Sequence, residues 1–200
     1  MTDTTEFVSP EDGKELLLMA SSQYEFKNYG AAAYYYEKLG KMHKARMSLK
    51  KQVVEGLSNG DFLGPARAFE KLGDPEAAKQ CWKLAGEYFI TVKNFYQASD
   101  CYEKAGIPEQ AKKCRINDAD EYIKSSVYAE EFNTRESYSK ALKIYKTEGC
   151  SLSTLPKESQ EKILRLVRKG NVEATQCLAE LVKTEEEELI FNEARAGLVL

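Results

Sequence analysis

Apolar residues recur along this chain with the i, i+3, i+4 spacing of helices that bury one face. Glycine or proline interrupts the pattern about every 15 residues, as turn signals do. Alternating β-branched runs are nearly absent. The pattern predicts helices over 10–26, 30–39, 42–57, 64–72, 75–91, 94–105, 108–127, 133–147, 156–169 and 171–195. Gly40, Gly73 and Gly106 then fall just past a helix, where a left-handed cap is wanted. Pro75, Pro108 and Pro156 open the helices that follow. At the start of the first helix, Ser9 is the expected N-cap, Pro10 the first helical residue and Asp12 the capping-box partner.

The pattern repeats at a step of 33 residues. Tyr36-Glu37-Lys38-Leu39-Gly40 returns as Phe69-Glu70-Lys71-Leu72-Gly73 and again as Tyr102-Glu103-Lys104-Ala105-Gly106. Ala45, Ala78 and Ala111 follow each glycine by five residues, and Ala33, Ala66 and Ser99 precede it by seven. A period in this range signals stacked helical pairs, a surface for holding partners with no built-in reaction centre.

These pairs resemble the tetratricopeptide repeat, over roughly residues 10–147. The third unit matches best, with Trp82, Ala85, Gly86, Phe89, Phe95, Ala98, Tyr102 and Ala105. Small Gly86 and Ala98 permit close helix approach, and the aromatics fill the space around them. The resemblance implies an all-α, right-handed α-solenoid of about ten helices. Its organisation is a flexible 1–9, repeat units at about 10–40, 41–73, 74–106 and 107–149, and helices over 151–200 that continue or cap the stack.

Three places depart from the pattern. The second unit carries Val53 and Pro65 where the small pair belongs. Because proline is costly inside a helix, Gly64 is expected to cap a helix beginning at Pro65, leaving 58–63 as a longer turn in a looser unit. The fourth unit's second helix, with Tyr138, Ala141 and Tyr145, arrives about ten residues late. Residues near 125–134 then either lengthen a helix or form a loop. Farther on, the run Glu185 to Glu188 reads as a solvated helix face, and the apolar ending suggests docking back onto the stack or a longer solenoid.

In tetratricopeptide-like stacks the first helix of each pair lines a concave groove. By register that groove would show Lys14, Leu17, Ser21 and Tyr24, then Met47, Lys50, Val54 and Leu57. Gln80, Lys83, Glu87 and Ile90 follow, then Lys113, Ile116 and Asp120. Lys50, Lys83 and Lys113 form a basic line with apolar neighbours, suited to an extended peptide or helix with acidic and hydrophobic residues. A clamp for terminal carboxylates is broken, because Val54 and Glu87 stand where asparagine would be needed. Tyr36 should point inward, and at least one of Tyr34 and Tyr35 outward.

Composition narrows the chemistry. The net charge is −3, from 29 basic and 32 acidic residues, so there is no broad pull toward nucleic acid. No apolar run is long enough to cross a membrane and no signal peptide is apparent. A soluble, cytoplasmic protein is expected. The five cysteines contain no CxxC pair and read as reduced, small apolar residues. His43 is the single histidine, without metal-ligand spacing around it. Phosphate-binding glycine motifs and a nucleophile elbow are absent. No catalytic residue, cofactor or metal is therefore predicted, and the expected role is a non-enzymatic scaffold or adaptor. Self-association stays open. Two alternatives rest on short phrases. Ala-x-x-Tyr-Glu-Lys-Ala is similar to soluble NSF attachment proteins, which are membrane-trafficking adaptors with an apolar N-terminal loop, of which Phe7-Val8 would be a thin version. The stretch from Ala66 to Cys81 is similar to repeat arms of helicase-related proteins.

Overall fold

The computed structural model describes residues 10–125 and 134–197. Ser9, the 125–134 segment and the last three residues thus fall wholly or largely outside the description. All described regular structure is helical. The helices are α1 (Pro10–Glu25), α2 (Tyr29–Lys38), α3 (Met42–Ser58), α4 (Leu63–Leu72), α5 (Pro75–Thr91), α6 (Phe95–Lys104), α7 (Pro108–Ser125) and α8 (Thr134–Thr147). A 3-10 turn, Leu152–Thr154, precedes α9 (Lys157–Arg168), α10 (Val172–Ala179) and α11 (Glu185–Ala196).

The sequence period is written into the backbone of the turns. Gly40, Gly73 and Gly106 adopt φ of 67°, 82° and 75°. The next N–H in each case, from Lys41, Asp74 or Ile107, reaches back to the carbonyl of Tyr36, Phe69 or Tyr102. That bond is the mark of a Schellman cap. The other turn of each pair repeats equally well. Lys27, Gly60 and Lys93 have φ of 61°, 72° and 56°. Asn28, Asp61 and Asn94 then donate their N–H to the carbonyls of Gln23, Gly56 and Phe89. Two left-handed residues per period therefore define two turns per repeat.

The chain divides into two compact units, residues 1–88 with 101–107, and residues 89–100 with 108–200. In the first unit α1 packs on α2, α2 on α3 and α3 on α4. Alanine makes the close contacts: Ala20, Ala32 and Ala45 cluster around Tyr36, and Ala33 and Ala68 around Leu49. Trp82 is buried, with its indole N–H donating to Glu70 at 2.7 Å and Lys104 Nζ 4.6 Å over its ring. Gly86 is equally buried, and the Tyr102 ring lies 3.1 Å from where a Cβ would sit. Lys71 of α4 pairs with Glu37 of α2 at 2.8 Å, 34 residues away.

The proline of the second repeat, Pro65, behaves differently from expectation. Helix α4 begins at Leu63, and Pro65 lies in its first turn. N–H groups there have no intrahelical partner, so proline forfeits nothing. Phe62 stands at the N-cap, and the Oδ1 of Asp61 just before it accepts the N–H of Leu63 at 2.9 Å. A Cβ on Gly56 would stand 2.6 Å from Pro65 Cγ, so glycine and proline form the tight contact there.

The second unit has one continuous core, including Ile123, Tyr145, Leu152, Ile163, Val167, Leu178 and Phe191. Helices α7 and α8 pack together, as do α9 and α10. Contacts also join α7 to α9, α8 to α10 and α9 to α11, so helices two apart in sequence are neighbours. Bonds at nearly the repeat distance join α7 to the residue after α8, and the turn after α10 to the turn after α8. Arg115 pairs with Glu148, 33 residues on, and Lys183 Nζ donates to the Gly149 carbonyl, 34 residues back.

The single helix expected over 171–195 is two helices. Its break is a capping box: Thr184 Oγ1 accepts the Glu187 N–H at 3.2 Å, and Glu187 accepts the Thr184 N–H at 3.2 Å. Glu187 also accepts from the N–H of Ser153 and of Lys183, both at 2.7 Å. It is therefore buried, unlike its exposed neighbours Glu185, Glu186 and Glu188, and the solvated-face reading fails at this residue.

Candidate functional site

Helix α3 turns Ala45, Ser48 and Leu49 into the first unit. Helical geometry then aims Met47, Lys50, Val54 and Leu57 outward. They are exposed, Val54 to 68%. Three apolar residues and a cation therefore share the outward face of α3.

At its N-terminal end this face borders a cavity of about 250 Å³ lined by Tyr24, Tyr36, Lys44, Met47 and Ser48. Each of the first three helices contributes. Tyr36 is buried and forms the floor, with Lys44 Nζ 5.6 Å from its ring centroid. Ser48 is turned away from bonding a ligand, because its hydroxyl donates to the Lys44 carbonyl at 3.0 Å. The wall of the cavity is mostly ring and thioether surface. Tyr34 is exposed and Tyr35 half-buried, so the tyrosine run splits as its helical positions require.

The remaining expected residues are placed as follows. Tyr24 is half-buried in the cavity wall, and Lys14 is exposed on α1. Lys83 and Glu87 are exposed on α5 and lie 3.8 Å apart, so the glutamate partly neutralises the lysine. Lys113 is exposed on α7. Asp120 is the exception. It is buried, and its Oδ1 accepts the hydroxyls of Tyr145 and of Ser159, the latter at 2.8 Å. Two hydroxyl donors satisfy a carboxylate that would otherwise be expensive to bury. Asp120 is a core residue and leaves the candidate surface. Burial and the Asp120 bond together push the Tyr145 phenol far above its ordinary range.

Lys44 and Tyr36 had not been expected at the site. Their signal was available for Lys44: Lys41, Lys44, Arg46, Lys50 and Lys51 fall within eleven residues that contain no acid.

Among the described residues no group of His, Cys, Asp and Glu converges to hold a metal ion. Burial pushes the thiols of Cys81, Cys114 and Cys150 up, away from the thiolate that a nucleophile needs. No described helix is long and apolar enough to cross a membrane. Comparison of the chain with protein-family models, curated proteins and solved structures returns no match.

Proposed function

We propose that this chain is a non-enzymatic scaffold or adaptor, a tetratricopeptide-like solenoid that holds a peptide or helix against the first helices of its pairs. The observation that carries the reading is the exposed set on α3, Met47, Lys50, Val54 and Leu57, on a helix whose opposite side is committed to packing. The recurring turns support the repeat architecture, as do the contacts between helices two apart in the second unit. Lys14 on α1 and Lys83 on α5 are exposed, as the same register requires, with Glu87 beside Lys83. The ligand this face suits is a segment with acidic and hydrophobic residues, since cations and apolar groups alternate on it.

The test is a peptide-display selection on the intact chain, with winning sequences retitrated against Lys50→Glu/Lys83→Glu. Loss of binding with unchanged circular dichroism is expected. Retention of every selected peptide by the double variant would remove the groove reading.

A further inference from the structure

The N-cap and first three turns of α3 carry five cations, Lys41, Lys44, Arg46, Lys50 and Lys51, and no acid. All five are exposed, and none has a carboxylate partner among the described residues. Other surface lysines do find partners: Lys27 with Glu55, Lys71 with Glu37, Lys79 with Glu76 and Lys162 with Glu158. Of the five on α3, Lys44 and Lys50 stand one helical step before and after Met47 on the same side of the helix, so an anionic group held beside Met47 would meet both. Set among them is the cavity of Tyr24, Tyr36 and Met47, about 250 Å³ and large enough for one leucine or phenylalanine side chain.

We infer that the N-terminal half of α3 docks a short acidic segment of a partner protein, which seats one large apolar side chain between Tyr24, Tyr36 and Met47 while flanking carboxylates meet Lys44 and Lys50. This rests on the scaffold reading and names the place on the face where the partner is held. Charge complementarity favours a compact ligand over an extended polyanion. The whole chain is −3 and this segment is +5, so the other residues together carry −8. The positive segment is only eleven residues long, so a short peptide can cover it, whereas a duplex or a membrane would also meet the rest of a chain that is net acidic. The cavity gives a second reason, because an apolar seat offers nothing to a phosphate backbone.

The experiment is a fluorescence-anisotropy titration of the full chain with a labelled peptide of about 12 residues bearing one central leucine flanked by glutamates. Saturable binding that weakens with salt is expected. Lys44→Glu/Lys50→Glu, Met47→Glu, and replacement of the peptide's leucine by alanine should each weaken it about tenfold or more. All altered positions on the chain are exposed, and circular dichroism verifies that the fold is intact. Absence of binding at about 1 mM peptide would overturn the inference. So would binding indifferent to the leucine, or tighter association with a 20-base-pair duplex or with phosphatidylserine vesicles. If selected peptides depend on Lys83 but not on Lys44 or Met47, the scaffold reading stands and this docking site does not.

Discussion

The indole N–H of Trp82 meets the Glu70 carboxylate at 2.7 Å, and this bond ties the first turns of α5 to the last turn of α4. A tryptophan on an interaction scaffold invites a role in binding, yet Trp82 is 2% exposed and belongs to the core. Trp82→Ala should cost roughly 3–5 kcal/mol, the range for truncating a buried aromatic. Glu70→Ala, which only removes the indole's acceptor, should cost about 1–2 kcal/mol. Urea unfolding reads both, as a drop in midpoint at constant slope. Equal losses for the two variants would show that packing of the indole contributes little.

The Pro65 ring leaves no room for a Cβ on Gly56. Gly56→Ala gains about 1 kcal/mol of helix propensity. Against that, the new methyl would stand 2.6 Å from a rigid pyrrolidine ring. Overpacking of that kind costs about 1–3 kcal/mol. A net loss of up to about 2 kcal/mol is expected by denaturation, with partial recovery in Gly56→Ala/Pro65→Ala. Stabilisation by the single change would mean that the ring yields freely.

Lys93 holds φ of 56° at the position where the preceding repeat uses Gly60. A side chain there is strained by about 1 kcal/mol. Lys93→Gly should therefore raise stability by about 0.5–1 kcal/mol and lift the melting temperature slightly, although glycine loosens the unfolded chain. Gly106→Ala, its mirror case at the other turn, should lower stability by about 1 kcal/mol. Opposite signs for these two exchanges are the specific expectation of a two-turn repeat.

Burial alone would push the Glu187 carboxyl up, but hydrogen bonds from Ser153, Lys183 and Ser151 outweigh it and hold the group at about 2. Its ordinary value is 4.5, so the folded state binds this proton less readily than the unfolded state. The resulting stability is complete above the ordinary value and is lost as pH falls through about 2. It amounts to at most about 3 kcal/mol. Chemical unfolding at stepped pH, compared with Glu187→Gln, isolates this contribution. The variant should be less stable at neutral pH and should lose less on acidification. Parallel curves for the two proteins would exclude the assignment.

Much of the fold was legible because its signals are local. Gly40, Gly73 and Gly106 mark turns through their own backbone preference, and eight of the ten expected helices have described ends within one residue of those predicted. The break before α11 was also present in the sequence, as Thr184 followed three residues later by Glu187. It was masked by apolar residues that continue at helical spacing on either side. Pro65 misled because a proline three residues into a helix looks like an interior one until the start is known. Asp120 could not have been placed from spacing. Its burial depends on hydroxyls from Tyr145 and Ser159, 25 and 39 residues away. The candidate surface was half visible. Met47, Lys50 and Val54 follow from helix register, whereas the cavity needs Tyr24 and Tyr36 brought over from two other helices.

The central claim, that the first helices hold a partner, is tested most directly by a nitrogen-15 NMR titration of the chain with the acidic leucine peptide. The account predicts that amide shifts concentrate at Tyr24, Met47, Lys50 and Val54, with lesser changes near Lys83. Shifts confined to α2 and α4, or none at saturating peptide, would contradict it.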